Sequence, residues 1–365
     1  MVYFKEAASG SANNRAADSS LAVGVLLHQP LLPNPDMREG SLLGMSGQTK
    51  KEVPMSLNQS QSLNNRTRRD FAKLALVGLP ATVWAAKVNS TVKGVRLGTI
   101  TYSFRDFKRT PGVDNADAII AALKECEIGE IELFAPNIEP YRPSGGRGTP
   151  EAAKARDEVR QWRLSTPASY FKGMRKKFDD AGINLIAYTM NYRSEFTDPE
   201  IDKTFEQAKA LGVDTIATST QVSMTKRLLG FADKHKINVS FHGHAEYDQP
   251  DEFSKPATFQ QALDMSKYAK INLDIGHFTA ANEDAVAFIE KNHQHISHMH
   301  MKDRKKNKGE NTEWGQGDTP IKPVLALLRD KHYNIPCMIE YEYKGAGTSI
   351  EEVKKCMAYM RQALA

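Results

Sequence analysis

Four short stretches in the second half of the chain place histidine or carboxylate side chains at alternating positions. They are residues 239–246, with His242, His244 and Glu246; residues 271–277, with Asp274 and His277; residues 298–303, with His298, His300 and Lys302; and residues 338–342, with Glu340 and Glu342. In an extended strand, residues two apart share a face. Ser240, His242 and His244 therefore lie together, as do Asn272 and Asp274, and Glu340 lies opposite Ile339 and Tyr341. A lone strand histidine needs only a hydrogen-bond partner. Four successive strands that each direct an imidazole or carboxylate to one end are costly to bury without a cation. His242, Asp274, His300 and Glu340 are thus candidate ligands of one divalent ion. Two imidazoles and two carboxylates suit Mn, Co, Zn or Fe, with Mg a weaker fit because it prefers oxygen.

The elements that must position these residues follow a repeating order. From residue 92 onward, β-rich runs at 94–103, 129–134, 184–190, 215–219, 238–244, 271–275, 296–302 and 337–343 alternate with amphipathic stretches. The stretches are 115–126, 167–181, 199–211, 224–234, 259–269, 282–291, 321–331 and 349–364, and Gly182 and Gly212 supply helix stops. Eight β-then-α units predict an α/β fold, a (β/α)8 TIM barrel over residues 92–365, with functional groups at the C-terminal ends of the strands. A doubly wound open sheet is the alternative. It usually carries a Gly-rich phosphate turn after the first strand, and here that strand runs into Thr101, Tyr102, Ser103, Phe104 and Arg105. Residues 135–166 form an unusually long connection, either covering the barrel mouth or inserted at the surface with a helix of its own at 150–163.

At these residues the chain resembles the xylose isomerase-like TIM barrel superfamily, which holds sugar and sugar-phosphate isomerases and epimerases, inosose dehydratases and the endonuclease IV repair enzymes. The matching pieces are residues 273–277, 298–303 and 339–342, together with Glu130–Phe134 and the Gly315, Gln316, Gly317 turn ahead of Pro320. The resemblance implies metal ligands at Asp274, His300 and Glu340. The fourth ligand is commonly Glu, and the matching residue here is His242. Family epimerases exchange the proton beside the carbonyl with two metal-bound glutamates. Only Glu340 is present of that pair, so His242, His244 or Glu246 is the candidate second group, unless the route uses one base. The resemblance also implies that His277 binds substrate hydroxyls and that Lys302 offsets charge on an enediolate. Tyr102, Glu132, His244 and Trp314 complete the expected substrate contacts.

The expected activity is metal-dependent isomerisation or epimerisation of a keto-sugar or related carbohydrate through enolisation. A lyase acting on 3-keto-glycosides and a non-catalytic carbohydrate-binding barrel are the alternatives. A nucleic-acid partner is not expected. The net charge of +5 is modest, basic residues are scattered, and the strands ending at Asn191 and Thr220 lack the added ligands of a three-metal repair site. Cys126, Cys337 and Cys356 match no zinc knuckle or redox pair and read as buried small residues.

The N-terminal quarter is different in kind. Residues 1–65 are rich in Ser, Asn, Gln, Gly and Pro without periodicity, and predict disorder. Residues 66–87 carry Arg68 and Arg69, Phe71, an apolar run over 74–84 and small residues at Ala85 and Ala86. That layout resembles a twin-arginine export signal and predicts a periplasmic or secreted protein. An amphipathic helix of the folded domain and a retained anchor are the rival readings. The run is too short for a stable membrane span. Met55 opens a segment of conventional signal length, so residues 1–54 are read as arising from a start placed too far upstream.

Overall fold

The computed structural model describes residues 87–142 and 148–365. The expectations for the N-terminal extension and the export segment fall, up to residue 86, outside the described residues. Strand β1 (Thr91–Val92) turns back antiparallel onto β2 (Val95–Ile100). Then follow β3 (Glu130–Phe134), β4 (Asn184–Thr189), β5 (Thr215–Ser219), β6 (Asn238–His242), β7 (Ala269–Asp274), β8 (Ile296–Met301) and β9 (Cys337–Ile339). Strands β2 to β9 pair in parallel in chain order, and β9 pairs back onto β2 through Leu97 with Cys337, Gly98 with Met338 and Thr99 with Ile339. The sheet is therefore a closed barrel of eight parallel strands, the TIM fold that the repeat predicts.

The surrounding helices are α1 (Ala116–Glu125), α2 (Pro150–Ser165), α3 (Ala168–Asp180), α4 (Asp198–Ala210), α5 (Thr225–His235), α6 (Pro256–Leu263), α7 (Ile275–Ala280), α8 (Ala285–Asn292), α9 (Ile321–Lys331) and α10 (Ser349–Leu364). Outward strand residues such as Ile131, Ile216, Val239, Phe241, Ile271 and Met299 are buried in one apolar core with helix residues such as Ile119, Phe171, Phe205 and Leu228. Inward positions carry the polar residues, so alternation separates the core from the chemistry. Thr348 caps α10 and Glu351 returns the contact, a capping box that secures the last helix.

Several boundaries differ from the sequence reading. The last strand ends at Ile339, so Glu340 stands just beyond it, on the rim. The helix expected over 259–269 is α6, which begins at Pro256 and ends at Leu263; Ala269 already belongs to β7. Proline at the first turn presets the helical φ and starts the helix early. A further short helix, α7, follows β7 directly and was hidden in the apolar run after Asp274. In the long connection, α2 forms where a helix was expected and docks beside α4. Arg163 pairs with Glu139 at 2.6 Å and with Glu200 of α4 at 2.7 Å. The described part of this segment is thus tied through Arg163 to Glu139, which follows β3, and to the first turn of α4; residues 143–147 are outside the described set. Cys126, Cys337 and Cys356 are buried and free. No described helix is long and apolar enough to cross a membrane.

Barrel closure depends on one absent side chain. A Cβ on Gly98 would lie 2.4 Å from the Glu130 carbonyl oxygen and 2.6 Å from the Met338 sulfur. The glycine gives space to Met338, its partner across the closing seam. We expect Gly98→Ala to lose about 1–3 kcal/mol of stability through overpacking, read as a lower denaturant midpoint. An unchanged midpoint would show that the seam relaxes freely.

Candidate metal centre

His242 ends β6, Asp274 ends β7, His300 lies one residue before the end of β8, and Glu340 follows β9. Each offers one ligand atom, and the four atoms lie within 4.8 Å of one another on buried side chains. The sequence-predicted set therefore converges. The residues also fit a divalent ion by a separate criterion. His242 Nδ1 and Asp274 Oδ2 are buried and lack a hydrogen-bond partner. Asp274 Oδ2 has only the Lys302 ammonium, at 3.3 Å, against its charge and His242 Nδ1 has nothing, so a coordinating ion would relieve both.

A second layer supports this ring from inside the barrel. His300 directs Nδ1 toward Glu340 Oε2 at 3.1 Å, while its Nε2 meets Glu132 Oε2 at 2.5 Å. Asn272 Nδ2 lies 3.1 Å from the same Nε2. Glu132 also meets His298 at 3.1 Å and accepts from the Thr189 hydroxyl. A carboxylate behind a ligating imidazole fixes its tautomer and ring plane. Glu132 is fully buried and engaged by His300, His298 and Thr189, so it is placed behind a candidate ligand.

The charges are tightly matched. Lys302 Nζ lies 2.8 Å from Glu340 Oε2 and 3.3 Å from Asp274 Oδ2, and it also donates to Glu342. Burial opposes its charge, but Asp274, Glu340 and Glu342 outweigh burial and raise it above the usual lysine value. Burial lifts the Asp274 carboxyl to about 6 against the pull of Lys302. Burial would also raise Glu340, yet Lys302 and His300 hold it well below the usual range. For His300, burial is outweighed by Glu132 and Glu340, which raise it well above the usual histidine value. Burial, with His300 nearby, keeps His242 well below that value.

The other expected contacts divide. His277 lies at the mouth between Lys302 Nζ at 3.0 Å and Arg304 Nη1 at 2.6 Å, and its backbone N–H donates to Asp274 Oδ1 at 2.6 Å. Burial first, then the two cations, lower it well below the usual value. His244 is half-buried, its ring 5.3 Å from that of His242 and 5.2 Å from that of His277. Tyr102 packs edge-on against Phe134 at 5.3 Å, and burial, then Glu342, push its phenol to about 12. It stands close enough to feel both Glu342 and Glu340. Trp314 is different. It packs edge-on against Tyr359 of α10, the ring centroids 5.8 Å apart.

Three participants were given no role in the sequence reading. Glu342 has the same parity as Glu340, and that repeat was the available signal. Arg304 follows the strand-8 motif in a loop, where parity gives no direction. Asp303 accepts from the backbone N–H groups of Gly315 at 2.7 Å, Gly317 at 3.0 Å and Thr319 at 3.2 Å, and so shapes the loop after β8.

The barrel and this mouth define a TIM barrel with a candidate divalent-metal centre. Residues 120–363 match the xylose isomerase-like TIM barrel family, and the chain belongs to it. Among solved structures, it is similar to the IOLI protein with a binding zinc atom, at 12% identity and a TM-score of 0.53, covering 74% of this chain and 98% of that one. The probable 3-DHS dehydratase AsbF from Bacillus anthracis gives 14% and 0.52, covering 72% and 98%. A sugar phosphate isomerase/epimerase from Parabacteroides distasonis ATCC 8503 gives 16% and 0.50, covering 74% and 97%. At these identities the likeness shows the fold alone. No curated protein matches the chain.

Two expectations follow for isolated protein. Glu132→Gln should weaken affinity for Mn or Zn about 10–100-fold in a chelator competition. Unchanged affinity would remove Glu132 from the centre. Because His300 is raised, binding at neutral pH must displace its proton, so affinity should rise with pH by about tenfold per unit. The slope should steepen below about pH 6, where Asp274 also takes up a proton. A flat titration would contradict this ligand set.

Proposed function

We propose that the protein is a metal-dependent carbohydrate isomerase or epimerase that enolises a keto-sugar. The observation that carries this reading is the convergence of His242, Asp274, His300 and Glu340 on one buried point at the strand ends. Family membership supports it, since solved structures similar to this chain include a sugar phosphate isomerase/epimerase and a dehydratase. When bound, a divalent ion would act there as a Lewis acid on a sugar carbonyl and acidify the neighbouring C–H.

The chain's own groups supply the rest. Lys302 places a positive charge where an enediolate oxygen would develop negative charge. His277, held neutral between Lys302 and Arg304, offers an imidazole to a substrate hydroxyl. Tyr102 contributes an undissociated phenol and an apolar ring face at the entrance. Glu340 anchors the ring and stays ionised. One feature favours a second reading: β6 carries His242 where the family commonly has Glu. A route with one base fits β-elimination from a 3-keto-glycoside as well as isomerisation. The twin-arginine layout at residues 66–87 supports an exported enzyme that meets free sugars or glycosides in the periplasm or outside the cell.

The test uses Mn-loaded protein in D2O with D-fructose and with a methyl 3-keto-glucoside, followed by proton NMR. We expect deuterium to enter beside the carbonyl, with release of methanol only if elimination occurs. Chelation should abolish exchange, and Glu340→Gln should lower it at least about 100-fold. Sugar binding without exchange would identify a binding barrel, and undiminished turnover by Glu340→Gln would refute its place in the centre.

A further inference from the structure

Beside the ligand ring, the mouth holds a second constellation. Ser219 ends β5 and pairs in register with His242 on β6, two residues before His244. Ser219 Oγ lies 2.9 Å from His244 Nε2, and Glu252 Oε2 lies 3.2 Å from His244 Nδ1. Serine, histidine and carboxylate thus stand in line, with the imidazole held at both nitrogens.

The backbone is built to present this line. Glu252 sits on the loop that follows β6 and returns beside it. The return passes so close to Gly243 that a Cβ there would lie 2.5 Å from the Phe253 carbonyl oxygen. His244 N–H donates to that same oxygen at 2.9 Å. Next to Glu252, the Asp251 carboxylate accepts from Ser223 N–H at 2.7 Å and from the Ser223 hydroxyl at 2.9 Å. Val222 N–H donates to the Asp251 carbonyl at 3.1 Å. The loop is therefore fastened to β6 on one side and to residues 222–223 on the other.

A carboxylate offers only acceptors, so Glu252 draws the imidazole proton to Nδ1 and leaves the Nε2 lone pair toward Ser219 and the mouth. The competing groups are engaged elsewhere. Glu340 and Asp274 are candidate ligands held by Lys302. His242 is a candidate ligand. His277 has a cation at each nitrogen, which opposes its taking a further proton. His244 has a carboxylate behind it, and its side chain keeps 22% exposure, so a sugar at the mouth can reach it.

We propose that His244 is the catalytic residue that takes and returns the substrate proton, and that Glu252 is its positioning residue. Ser219 yields Nε2 when substrate enters. The proposal rests on the enolisation reading above. In the step, the C–H bond beside the carbonyl breaks and its proton passes to Nε2. The electron pair forms the C=C bond, and the carbonyl oxygen takes the negative charge. The imidazolium is balanced by Glu252 and returns the proton to carbon.

The test measures deuterium exchange by Mn-loaded protein with D-fructose and with a methyl 3-keto-glucoside, together with metal content. His244→Gln should lose about 10²–10⁴ of the exchange rate while binding one equivalent of Mn like the wild type. Glu252→Gln should lower kcat with little change in KM, and Glu252→Asp should recover part of the loss. Ser219→Ala should fall less than His244→Gln. Exchange in His244→Gln at the wild-type rate overturns the assignment and leaves the enolisation reading intact. Loss in Ser219→Ala equal to that in His244→Gln overturns it in favour of the serine. No exchange by the wild type with either sugar overturns both. Should His244→Gln not fold, the kcat and KM of Glu252→Gln decide, and unchanged kcat overturns the proposal.

Discussion

Four carboxylates, Glu132, Asp274, Glu340 and Glu342, meet at one end of the barrel with little contact with water, and the rest of the mouth is arranged around neutralising them. Burying one unpaired carboxylate costs several kcal/mol, so the set is tenable only with positive charge threaded between its members. Lys302 reaches three of them. His300 bridges the other line, from Glu132 below to Glu340 above. His242 Nδ1 is left without a partner by this internal pairing, and Asp274 Oδ2 has only the Lys302 ion pair. The candidate metal centre is thus the remainder of a charge network that the fold keeps buried.

The barrel makes such a network buildable. Parallel strands in closed register bring the ends of β6, β7, β8 and β9 to one rim, while outward residues of the same strands join the apolar core. A side chain on that rim is fixed by its strand, and the layer beneath can hold it further. Glu132, on β3 across the barrel from His300, shows how one strand stiffens a candidate ligand carried by another. Loops then add what strands cannot. Asp303 gathers three backbone amides of the turn after β8, and Asp251 fastens the return that carries Glu252. The connections after β6 and β8 are therefore part of the site's framework.

Much of this arrangement is legible in the residues alone, and what is not legible has physical causes. Period-two alternation reveals which face a residue occupies, so it places Asp274, His300 and Lys302 together, and His242 and Glu340 with them. Alternation does not reveal depth. Glu132 faces inward but lies a layer lower than the rim, because it is mid-strand in β3 while the candidate ligands lie within one residue of their strand ends. Parity also ends where the strand ends. Trp314 lies in a loop with no period, and its turn toward Tyr359 has no sequence signal. The same holds for Glu252, which reaches His244 only because the chain doubles back at Gly243. Helix starts are clear at Pro150 and after the capping Thr348, are missed at Pro256, and are unclear where an apolar run passes from strand to helix, as at Ile275.

We expect His242, Asp274, His300 and Glu340 to bind one divalent ion together, in place of part of this internal pairing. A crystal of Mn- or Zn-loaded protein, with anomalous scattering collected at the metal edge, tests it most directly. We expect a single anomalous peak per chain bonded to His242, Asp274, Glu340 and His300 Nδ1, with Glu132 still on His300 Nε2 and the Lys302 ammonium withdrawn from Asp274 toward Glu342. A peak bound elsewhere, or no peak with Lys302 still bridging Asp274 and Glu340, would contradict it.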